Sequence, residues 1–99
     1  MSRMDNEIRI LIEEIIDRHI KSPETEKGYQ DILISMGIEP SLETTLAFIS
    51  GTCFRAFIEA FIRKHGRRPT GEETDPFVPL LKRRAWELRQ VYLTSRFKT

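Results

Sequence analysis

The amino-acid sequence predicts an all-α fold, a compact four-helix bundle-like single domain, and three observations carry that expectation. Apolar residues recur three and four positions apart along most of the chain, the spacing that lines one face of a helix with 3.6 residues per turn. The stretches patterned this way are separated by proline, glycine and capping residues at Ser22-Pro23, Gly37 to Ser41 and Gly66 to Pro76, which are helix stop and start signals. No segment shows the apolar-polar alternation of a half-buried strand, and there is no internal repeat or low-complexity stretch.

The first helix is expected over residues 5–20, where Ile8, Leu11, Ile12, Ile15 and His19 share one face and Glu7, Glu14, Asp17 and Arg18 the other. Ser22-Pro23-Glu24 then offers a cap, a proline pre-set for the first helical position and an acid for the positive end of the dipole. They open a second helix over 23–36 with Tyr29, Ile32, Leu33 and Met36 on its apolar face. Gly37 is placed to end it in the left-handed conformation.

Pro40 and Ser41 restart the chain into a helix over 41–65. Its apolar arc takes in Leu46, Ile49, Cys53, Phe54, Phe57, Ile58, Phe61 and Ile62, a width that predicts the central, most buried helix. Ala47, Ser50 and Gly51 lie within it; a mid-helix glycine costs about 1 kcal/mol, which close approach of a neighbouring helix is expected to offset. After His65-Gly66, Thr70 to Glu73 reads as a capping box, with Asp75-Pro76 as a second start one turn later. The last helix is expected over 76–97, with Phe77, Leu81, Ala85, Leu88 and Tyr92 as its core stripe.

Composition narrows the function classes. With 39% apolar and 31% charged residues the chain is neither disordered nor fibrous. Its lone cysteine, Cys53, supports no disulfide framework and no cysteine-based metal motif; a reducing compartment and a cytoplasmic location are expected. The start, MSRMDNEIRI, lacks the basic region and uncharged apolar run of a secretory signal. Leu46 to Ile62 is interrupted by Arg55 and Glu59 and is read as a core helix rather than a membrane span. Net charge is +1, yet residues 1–50 carry five Lys/Arg against ten Asp/Glu, a balance of −5, and residues 51–99 carry eleven against five, a balance of +6. Halves of opposite sign attract within a molecule, between copies, or toward a charged partner.

The most informative surface is the second side of the last helix, where Lys82, Trp86, Arg89, Leu93 and Arg96 form one stripe with Phe97 beside it. A solvated face rarely carries a Trp, a Leu and a Phe together, and aromatic and arginine side chains are enriched at interfaces. The protein's own helices, a second copy in a homodimer, or another protein are the three ways to cover it. The leading expectation is a protein–protein interaction or self-associating accessory module.

An alternative uses the basic half to bind nucleic acid, with Arg63, Lys64, Arg67 and Arg68 as phosphate contacts and Lys82, Arg83, Arg84, Arg89, Arg96 and Lys98 on the last helix. A sequence pI near 7.9 and the three directions in which Lys82, Arg83 and Arg84 project are against it. The segment His65-Gly66-Arg67-Arg68-Pro69-Thr70-Gly71-Glu72-Glu73 resembles the G-R-x-P-T-x-E-E segment that opens region three of bacterial sigma factors, which leads into a DNA-associated helix. In that family an apolar helix follows at once, whereas Thr74-Asp75-Pro76 intervenes here, and the likeness is read as shared turn chemistry.

A second alternative is a metal-dependent enzyme built on Glu13, Glu14, Asp17 and His19 of the acidic first helix. The spacing scatters them: Glu14 and Asp17 fall on the polar face and His19 on the apolar one. No dinucleotide-binding, P-loop or nucleophile-elbow motif is present and Cys53 has no expected base beside it, so neither a catalytic residue nor a cofactor is expected.

Overall fold

The computed structural model describes the backbone of residues 3–21 and 23–97 and the side chains of residues 4–21, 28 and 30–90. The chain forms α1 (Arg3–Lys21), α2 (Pro23–Ser35), α3 (Leu42–His65), the single turn α4 (Gly71–Thr74) and α5 (Phe77–Phe97). No strand occurs among the described residues. Four long helices thus match the expected four to within two residues at each end, and the remaining turn is the Thr70 capping box realised as a helix of its own.

Local chemistry sets these boundaries. Ile38 N–H donates to the Leu33 carbonyl at 2.9 Å and Gly37 N–H to the Ile34 carbonyl at 3.0 Å, closing α2 in a Schellman turn with Gly37 at φ 79°. Ser41 caps α3: its hydroxyl accepts from Thr44 N–H at 3.1 Å, and Thr44 Oγ1 accepts from Ser41 N–H at 2.8 Å. Gly66, at φ 70°, ends α3. Thr70 and Glu73 exchange the same pair of bonds at 3.2 and 2.8 Å to start α4.

One core joins α1, α3 and α5. Ile8, Ile12, Ile15 and Ile16 of α1 meet Ile49, Cys53, Phe57 and Phe61 of α3 and Phe77, Leu80 and Leu88 of α5. Phe57 and Phe61 are fully buried; burying such a ring contributes roughly 1.5–3 kcal/mol. Phe77 anchors the start of α5 by stacking on Phe57 at 6.0 Å between centroids and meeting Phe54 edge-on at 5.0 Å.

Several expectations about this core are corrected. Ile16 and Leu80 are buried although neither lies on the predicted stripes, while Leu11 and Leu81 are only half-buried. Both α3 and α5 pack against α1, so the buried face of α1 is wider than one stripe. In α2, Leu33 is buried, whereas Ile32 and Met36 are exposed. The width of the α3 arc does not mean full burial: Phe54 and Ile62 stay exposed and Ile58 is half-buried. Nor does a neighbour crowd Gly51, where an added Cβ would meet nothing within 4 Å. Among the described residues α3 is the one helix long and apolar enough to cross a membrane, with a mean hydropathy of 1.4; its inner stripe forms the core. Tyr29, Tyr92 and Ser22 lie outside the described side chains.

Candidate functional site

The inner face of α5 decides what its outer face is free to do. Phe77, Leu80 and Leu88 are buried, and Arg84 between them reaches α1; a side chain half a turn away must point outward. Trp86 does so and is 67% exposed, and Lys82 and Arg89 are exposed on the same stripe. Val78, four residues before Lys82 and 59% exposed, extends the stripe by a turn. The sequence reading did not single it out, although its place four residues before Lys82 is the helical spacing that would have found it. Leu93, Arg96 and Phe97 continue along α5, but their side chains lie outside the described residues. The protein's own helices therefore leave Trp86 uncovered.

Arg84 takes part in an internal charge cluster. Its guanidinium meets Asp17 at 2.6 Å and Glu87 at 2.8 Å, donates to the Glu13 carbonyl oxygen at 3.4 Å and stands 3.7 Å from the Glu13 carboxylate. Its side chain is only 15% exposed. The hydrogen bond to Glu87 and the pairing with Asp17 push the guanidinium pKa further up, and the bond from Arg84 holds the Glu87 carboxyl below its usual range. The acidic first half thus meets the basic second half inside one molecule, between α1 and α5. Glu13 and Asp17, considered above as metal ligands, face this arginine. His19 is half-buried, with Nδ1 2.9 Å from the Ile15 carbonyl oxygen. Among the described residues no three His, Cys, Asp or Glu side chains are placed to hold a metal ion.

The four residues considered for phosphate contact divide. Arg63 and Lys64 are exposed in the last turn of α3, beside the negative end of its dipole. Arg67 grips Glu73 through two bonds of 2.8 and 2.9 Å and lies 5.2 Å over the Phe61 ring. The Arg67 bond, followed by that from Thr70 N–H, lowers the Glu73 carboxyl to a pKa of about 2. Arg68 borders the outer face of α3. Arg67 and Arg84 are thus both engaged within the protein.

No family model, curated protein or solved structure matches this sequence. Function rests on the residues themselves. Beyond α5, two further groups of large apolar side chains are exposed. Ile32, Ile34, Met36 and Ile38 cluster at the end of α2, and Phe54 and Ile62 lie on α3. Cys53 is fully buried in the core, and burial pushes its thiol pKa up to about 11, which leaves it un-ionised and a poor nucleophile at neutral pH.

Proposed function

We propose that the protein is an interaction module, a small helical accessory subunit that engages another protein chain through the outer stripe of α5. The observation that carries this reading is Trp86, a side chain large enough to anchor an interface and 67% exposed between Lys82 and Arg89. Tryptophan and arginine are among the residue types that most often dominate binding energy, and an apolar anchor inside a polar rim is the usual anatomy of such a contact. A cytoplasmic setting, a reducing compartment in which Cys53 stays a free thiol, suits it. The nucleic-acid reading is weaker, because Arg67 and Arg84 already have carboxylate partners.

The test places a photoreactive phenylalanine analogue at position 86, with Asp31, exposed on α2, as control position. The chain is irradiated inside cells that make it. A discrete adduct from position 86 and none from position 31 is expected; its mass tells a second copy from a different partner. Equal, diffuse labelling from both positions would refute the reading.

A further inference from the structure

A second surface, on α3, carries its own account of what covers it. Ala47, Gly51, Phe54, Ile58 and Ile62 follow one another at intervals of four, three, four and four residues, the spacing of a helix–helix seam. Ala47 and Gly51 are exposed, Phe54 is 40% and Ile62 37% exposed, and Ile58 is half-buried. Gly51, Phe54, Ile58 and Ile62 line a concavity of about 380 Å³ with Arg55 and Glu59 along one flank. Gly51 sits mid-helix at a cost of about 1 kcal/mol, and since an added Cβ there would meet nothing within 4 Å, packing inside the monomer does not offset it. A helix laid along the seam would.

We infer that this seam is a homodimer interface in which α3 of one copy lies antiparallel to α3 of the other. Self-complementarity selects a second copy over any other occupant. The two small residues, Ala47 and Gly51, are four apart, as are the two large ones, Ile58 and Ile62. With the two-fold axis beside Phe54 and Arg55, Ile58 of each copy falls on Gly51 of the other and Ile62 on Ala47, knobs into notches, while the Phe54 rings meet at the axis. The charges agree with the same arrangement. Arg55 and Glu59 share one flank and pair with each other at 2.8 Å in the monomer, both well exposed. An antiparallel two-fold sets that flank against its own copy in reverse order, so the two Arg55 side chains meet beside the axis with a Glu59 on either side of them, a four-charge cluster of no net charge that either single reversal would make all of one sign. A parallel pairing would instead set it against the opposite flank, at Glu43 and Ser50.

The seam from Ala47 to Ile62 is about 22 Å long at 1.5 Å per residue. A contact of that length buries less than the roughly 800 Å² per partner of a standard interface, so a weak dimer dissociating at about 10–100 µM is expected.

The experiment is sedimentation velocity on the full chain from about 5 to about 500 µM, on the wild type, Gly51→Gln, Arg55→Glu, Glu59→Arg, the double charge reversal and Trp86→Ser. Gly51→Gln fills the notch with a good helix former in open space, so it should keep or raise the thermal midpoint while weakening the dimer at least tenfold. Each single reversal should weaken it, the double reversal should restore it, and Trp86→Ser should leave it intact. A wild type monomeric throughout, a dimer that survives Gly51→Gln, or one abolished by Trp86→Ser overturns the inference. Co-sedimentation with phosphatidylcholine vesicles in place of dimerisation would assign the face to lipid and overturn it as well. The α5 reading stands or falls separately, on cross-linking at position 86.

Discussion

Replacing Arg84 by methionine keeps an unbranched side chain between α5 and α1 and removes the guanidinium that meets Asp17 at 2.6 Å and Glu87 at 2.8 Å. Removing one member of a fully buried ion pair costs about 3–5 kcal/mol, and losing an exposed pair costs about 0–1 kcal/mol. Arg84 is 15% exposed, but Glu13, Asp17 and Glu87 are 38 to 45% exposed, so water takes over part of the lost solvation and an intermediate loss of about 2 kcal/mol is expected. For a chain of this length that lowers the thermal midpoint by about 8–16 °C. Urea and thermal unfolding followed by far-ultraviolet circular dichroism measure it directly. The pH dependence adds a signature. The Glu87 carboxyl is held below its usual range by Arg84, so its contribution is present above the unfolded-state value of about 4.3 and is lost as pH falls through the lower folded value. The Arg84→Met chain, left with three neighbouring carboxylates, should therefore close its stability gap to wild type as pH falls from 6 to 3. A loss below about 0.5 kcal/mol at neutral pH, or a gap that does not change with pH, would refute the assignment of this cluster as the clamp between the two charged halves.

Three other outcomes follow from single sites. Thr45 is fully buried and its hydroxyl has no hydrogen-bond partner among the described residues. Thr45→Val should raise the unfolding free energy by about 1 kcal/mol in urea titration, since a buried unsatisfied hydroxyl costs about that much. The Cys53 thiol, raised to about 11 by burial, should resist an aromatic disulfide reagent at pH 8 in the native chain and react at once in denaturant. Glu73, held at about 2 by Arg67 and Thr70, supports the α4 turn above the unfolded carboxylate range near 4.3 and loses that support as pH falls toward 2. Glu73→Ala should therefore speed amide hydrogen exchange at Thr70 to Thr74 at neutral pH, with a difference from wild type that narrows at low pH.

The helix boundaries were legible because their causes are local. Ser41 with Thr44, Thr70 with Glu73, and glycines at 37 and 66 act within a turn of where they stand, so the pattern alone placed every long helix. Which part of an apolar arc is covered is not a local property. Periodicity tells where Phe54, Ile58 and Ile62 point relative to Phe57, and says nothing of how many neighbours exist to cover them; here Ile49, Cys53, Phe57 and Phe61 are covered, Ile58 is half-covered, and Phe54 and Ile62 stay exposed. Ile16 was missed for the converse reason, since α1 is packed from two sides. The role of Arg84 was visible only as the charge imbalance between the halves, because the run Lys82-Arg83-Arg84 does not disclose which of its members turns inward. The exposed stripe of α5 was legible in composition as far as Trp86, Lys82 and Arg89, and its exposure required the fold.

The claim that the monomer leaves this stripe uncovered for a partner is tested most directly by the fluorescence of Trp86, the one tryptophan in the chain. Emission and acrylamide quenching are measured on the dilute folded chain. A red-shifted emission that acrylamide quenches readily is the result this structure predicts; a blue-shifted emission protected from quencher, in a chain whose mass is still that of the 11.6 kDa monomer, would make the stripe part of the core and contradict the account.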